Sequence, residues 1–134
     1  RQGNSTLVFT DAAGAQRTVF TIGAEQLFVT LTDTDENRNP VAIETKTISL
    51  VSTITGDVEA NITVTETGPT TGVFRNAAGV VTVLSSATTG NGRIETAGGA
   101  IVTANYTDPD DTSDRSLATA SISLKDGKSI PSTL

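Results

Sequence analysis

From Leu27 to Thr32 apolar and polar side chains alternate along the chain. Leu27, Val29 and Leu31 fall on one face and Thr30 and Thr32 on the other, the period-2 pattern of a half-buried strand. Phe28 interrupts the polar side and predicts that this face is partly covered as well. Beyond the strand the residues change character. Asp33, Asp35, Asn37 and Asn39 recur at every second position, and Pro40 ends the run. The same alternation returns elsewhere. Short strands are predicted over 5–10, 17–22, 45–54, 58–65, 80–84, 93–96, 100–107 and 116–124, with an extended piece at 73–75. In 58–65, Val58, Ala60, Ile62 and Val64 are expected to point inward and Glu59, Asn61, Thr63 and Thr65 outward. In the last strand Ala118, Ala120, Ile122 and Leu124 share a face. Turn signals separate the runs: DAAG at 11–14, TGD at 55–57, ETGPTTG at 66–72 and GNG at 90–92.

No run alternates strand with helix, so the chain reads as all-β. Short strands at this spacing predict an antiparallel β-sandwich of about seven to nine strands in two packed sheets. The 134 residues suffice for one domain with its own core, spanning 1–134. Abundant Thr, Val and Ile agree, because β-branched side chains favour strands.

The motifs also form an ordered set. VFTDAAG is followed by a short strand and Gly23, then FVTLTDTDENRNP, a strand ending in TGD, VTETGPTTGVF, and ANYTDPDD. This order resembles the immunoglobulin-like repeats of large secreted and cell-surface proteins of bacteria, over Leu7 to about Asp111. The resemblance implies an immunoglobulin-like sandwich used as a spacer, adhesive or assembly module, without catalysis.

Composition narrows the function. The net charge is −6 and the nine basic residues are scattered, so nothing suits a phosphate backbone and nucleic acid is not an expected partner. No apolar run approaches the ~20 residues of a spanning helix, and membrane insertion is not expected. There is no Cys and no His, which removes disulfides, thiolate chemistry and the side chain that titrates near neutral pH. A glycosidase needs paired carboxylates across a cleft, commonly lined by aromatics, and aromatic residues make up 4% of the chain. The expectation is therefore not an enzyme. There is no Met and the sequence opens RQGNST; the expected origin is cleavage of an upstream segment, such as a secretory signal, or excision from a longer chain. Secretion or display at the cell surface is the expected location.

Candidate chemistry concentrates in two acidic loops. Asp33, Asp35 and Asn37 in the first, with Asp108, Asp110 and Asp111 in the second (YTDPDDTSD, Tyr106 to Asp114), offer the oxygens that calcium prefers. Calcium is the candidate cofactor if the loops share one end of the sandwich; otherwise the Asp and Asn residues build Asx-turns. Asp33, Asp35, Asn37 and Glu44 match an EF-hand at its first, third, fifth and twelfth positions. Arg38 occupies the required glycine and the flanks are strands, so an EF-hand is rejected.

Glu66 and Lys46 share the inward parity of their strands. The plain reading is that Glu66 accepts N–H bonds from the TTG turn while Lys46 reaches the rim; the sharper one is a Lys46–Asn76 isopeptide bond assisted by Glu66. Sequons at Asn4, Asn61 and Asn105 are glycosylation candidates. The leading functional expectation is a structural extracellular protein that polymerises with copies of itself by strand donation. The donors are the ends of the chain, 1–15 with Leu7, Val8 and Phe9, or 116–134 with Ala118, Ala120, Ile122 and Leu124. A head-to-tail contact of this kind does not close and generates a filament. The alternative is a calcium-stabilised spacer or adhesion repeat excised from a larger surface protein, with a surface glycan or another surface protein as partner.

Overall fold

A computed structural model describes residues 5–33 and 41–124. The positions Asn4, Asp35, Asn37 and the tail after Leu124 lie outside the described residues. Ten strands follow one another: β1 (Thr6–Thr10), β2 (Val19–Thr21), β3 (Phe28–Thr32), β4 (Thr45–Ser52), β5 (Val58–Glu66), β6 (Val73–Arg75), β7 (Thr82–Leu84), β8 (Ile94–Thr96), β9 (Ile101–Thr107) and β10 (Arg115–Ser123). The fold is all-β and sandwich-like, as the alternation predicts. The strand count exceeds seven to nine because the extended piece at 73–75 is a full strand, β6, paired on both sides.

Instead of two separate sheets, eight strands form one sheet in the order β1-β3-β6-β5-β4-β9-β10-β2, and β7 pairs with β8. The long hairpin pair β4–β5 makes the sheet continuous. The sheet curls, because β1 lies against β10 and β9 although neither is its sheet neighbour. Most pairs are antiparallel; β10–β2 and β7–β8 are parallel. After β1 the chain turns at Asp11–Gly14, where the Asp11 carboxylate accepts the N–H groups of Ala13 and Ala15. It then lays β2 along β10, so the first and second strands border opposite edges of the same sheet.

The alternation places the core well. Leu27, Val29 and Leu31 are buried, and Phe28 is half-buried. They meet Leu7, Phe9, Leu50, Val64, Phe74, Val102 and Ile122 in one cluster. Phe9 and Phe20 pack edge to face with ring centroids 5.9 Å apart, a favoured aromatic geometry.

Two parity expectations fail, each for a local reason. Ile48 pairs with Ile62 but Leu50 pairs with Glu59, so β5 holds one extra residue opposite Ser49. This bulge shifts the side-chain phase. Ala60 is therefore exposed and Glu59, expected outside, is buried. At the end of β10, Leu124 leaves the inward row and is 42% exposed, lying over Gly98, where an added Cβ would come within 2.6 Å of its Cγ. Ala120 and Ile122 are buried as expected, and Ala118 packs at the core's margin.

Phe74 is 0% exposed at the centre of the core, facing Leu31 and Glu66 across its two strand pairings. Phe74→Ala is expected to lower unfolding free energy by about 3–5 kcal/mol, measured by urea denaturation. Leu117→Ala, at a position 65% exposed, is expected to stay within about 0.5 kcal/mol.

Candidate functional site

Three strand ends bring carboxylates together. β3 stops at Thr32 and delivers Asp33, whose N–H donates to Gly72 O. β9 ends at Thr107 and delivers Asp108. β10 begins at Arg115, preceded by Asp114. Because Thr107 pairs with Arg115, the next residues outward, Asp108 and Asp114, sit opposite each other, and Asp108 N–H donates to Asp114 O at 3.0 Å. The β9–β10 loop closes tightly through Asp111 N–H to Asp108 O and Asp114 N–H to Asp111 O.

The carboxylates of Asp33, Asp108 and Asp114 each offer an oxygen within 4.8 Å of the other two. All three are buried, at 1%, 1% and 5% exposure. Their partners account for only part of their capacity. Tyr106 OH donates to Asp33 Oδ2 at 2.8 Å. Ser5 N–H donates to both oxygens of Asp114 at 3.0 Å, and Ser5 Oγ–H to its Oδ1 at 2.8 Å. Asp110 N–H donates to Asp108 Oδ1 at 2.8 Å. Asp33 Oδ1 and Asp108 Oδ2 are buried and receive no hydrogen bond from an N–H or hydroxyl group. Burial pushes Asp33 up to about 6; the Tyr106 hydrogen bond opposes this, and a proton shared with the facing Asp108 carboxyl and the Asp108 and Asp114 charges add to it.

An orphaned buried carboxylate oxygen is costly, and two of them in one all-oxygen cluster fit a hard cation. Asp33, Asp108 and Asp114 would be its side-chain ligands. Of the residues singled out in the sequence, Asp33 and Asp108 do converge. Asp110 is exposed and contributes its N–H, and Asp111 is half-buried and accepts Ser113 N–H and Oγ–H. Asp114 was not expected as a ligand. Its signal was its place, immediately before a strand, mirroring Asp108 immediately after one.

The other candidates are dispersed. Glu66 accepts Gly72 N–H at 3.0 Å and Glu44 N–H at 3.2 Å, which matches the plain reading of a carboxylate serving the TTG turn. Asn76 spends its side-chain amide on the backbone: it accepts Val29 N–H and donates to Leu27 O and Ala78 O. Its role is to pin the chain after β6 to β3. Asn61 is exposed on β5 and Asn105 is half-buried in β9. Among the described residues no helix is long and apolar enough to cross a membrane.

No family model and no curated protein matches the sequence.

The Asp33 shift has a defined sign. A carboxyl with a folded pKa of about 6 against 3.8 in the ordinary state holds its proton more tightly when folded. Its contribution is present in full below pH 3.8 and is lost as pH rises towards 6. In chelator, the urea midpoint of the wild type relative to Asp33→Asn is expected to fall between pH 3.8 and pH 6. A constant difference over that window would contradict the assignment.

Proposed function

We propose that the chain is a non-enzymatic structural module of a secreted or cell-surface protein, a β-sandwich stiffened by calcium at one end. The observation that carries this reading is the pair of unpartnered, buried oxygens of Asp33 and Asp108 beside Asp114. A cation there joins the end of β3 to the β9–β10 turn and, through Asp114, to Ser5 at the start of β1. It thus crosslinks strand ends that arrive from both halves of the curled sheet. Calcium is the fitting cation because the ligands are all hard oxygens and extracellular modules bind it weakly where it is plentiful.

A second reading is self-association by strand exchange, and β1 is the strand that favours it. Among the described residues the one strand paired with β1 is β3, with a single further bridge from Thr10 to Gln16, whereas β10 is paired with strands on both sides. β1 nevertheless supplies Leu7 and Phe9 to the core. Leaving its own sheet would open a groove that a neighbour's β1 could fill. Deleting residues 1–15 is expected to leave a chain that stays folded only with a peptide of residues 5–15 supplied in trans. Filaments of that deletion variant in electron micrographs would count against exchange through β1.

Calcium at 100-fold over its Kd is expected to add about 2.7 kcal/mol for a single site, a rise in Tm of about 10 °C for a domain of this size. Asp108→Asn, which keeps the acceptor for Asp110 N–H, is expected to lose this site's increment. The check is scanning calorimetry in calcium and in chelator. An equal calcium response in wild type and Asp108→Asn would overturn the reading.

A further inference from the structure

A second group of buried carboxylates sits at the opposite end of the sheet. Ser52 at the end of β4 pairs with Val102 near the start of β9. Asp57 follows the turn after β4, whereas Asp108 follows the far end of β9. The seven residues of β9 separate the two ends by about 20 Å. Asp57 and Glu59 come from the start of β5 and Glu95 from β8. Glu59 is there because of the bulge that reverses the phase of β5.

We infer that Asp57, Glu59 and Glu95 form a second calcium site, whose ion fastens the segment between β7 and β8 to the sheet. All three are buried, at 0%, 2% and 3% exposure, and each offers an oxygen within 4.8 Å of the others. The independent sign of a missing ligand is Asp57. It is fully buried, its Oδ2 accepts Glu95 N–H at 2.7 Å, and its Oδ1 receives no hydrogen bond from an N–H or hydroxyl group, the Glu95 carboxyl being the side chain it adjoins.

The rest of the group is committed to the loop. Glu59 accepts the N–H groups of Gly90, Asn91 and Gly92. Gly90 and Gly92 both have positive φ, at 85° and 82°, a conformation that glycine adopts without the Cβ penalty and that turns their N–H groups towards Glu59. Glu95 accepts Thr88 N–H and Asn91 Nδ2–H. The nearby Arg93 guanidinium acts on Glu95 through space, but the side chain is exposed. One exposed cation does not compensate three buried carboxylates. A hard divalent ion does, and it would use Asp57 Oδ1 together with oxygens of Glu59 and Glu95.

The test is a calcium titration of the full chain, followed by amide NMR in the range of about 0.1–10 mM where extracellular modules bind. Amides of Thr88, Gly90 and Gly92 report this site; those of Ser5 and Asp110 report the site at the other end. Saturable shifts of Thr88, Gly90 and Gly92 are expected in the wild type and in Asp108→Asn. They are expected to weaken at least tenfold in Asp57→Asn, which keeps the acceptor for Glu95 N–H. Gly90 and Gly92 amides that stay put in the wild type while those of Ser5 and Asp110 move would overturn this inference and leave the first site standing. The converse pattern would leave this site standing without the first. A response in Asp57→Asn equal to that of the wild type would also overturn it.

Discussion

Burying a carboxylate is costly unless its charge is met by hydrogen bonds or by an opposite charge. Among the described residues this chain buries seven: Asp33, Asp57, Glu59, Glu66, Glu95, Asp108 and Asp114. Among the described residues no Lys or Arg is buried to meet them. Main-chain N–H groups do much of the compensation. They donate to Glu66 at the 66–72 turn, to Glu59 and Glu95 from the 88–92 loop, and to Asp114 from Ser5. What they leave over is specific: single oxygens of Asp33 and Asp108 at one end of the sheet and of Asp57 at the other. The loops are built around acids, and the acids are left one partner short where they converge.

The placement follows from how strands end. Asp33, Asp108 and Asp114 lie immediately beyond the end of β3, beyond the end of β9 and ahead of β10, just outside the ladder. Antiparallel pairing then sets Asp108 opposite Asp114. At the other end, the bulge in β5 does the same for Glu59. Both arrangements couple distant parts of the chain. Ser5 and Asp114 are 109 residues apart in sequence and share three hydrogen bonds. Ordering either end therefore stiffens several strands together.

Much of the fold was legible in the residues. The alternation at Leu27, Val29 and Leu31 identified core positions that are buried, and the turn signals marked the loops between strands. The site was half legible. Asp33 and Asp108 were identified because acids cluster visibly around them, but Asp114 was hidden among its neighbours until pairing showed which of them faces Asp108. Glu59 was misplaced because a one-residue bulge inverts strand parity and leaves no mark in composition. Glu95 lies in a strand of three residues, too short for its pattern to show which way it points. Local periodicity carries the strands; the convergence of acids depends on register, which only the paired sheet supplies.

The most direct measurement is anomalous diffraction from crystals grown in calcium. The account predicts an anomalous peak among Asp33, Asp108 and Asp114, about 2.3–2.6 Å from Asp33 Oδ1 and Asp108 Oδ2. Ordered density at that place with no anomalous signal, or direct carboxyl-to-carboxyl hydrogen bonds closing the cluster, would contradict it.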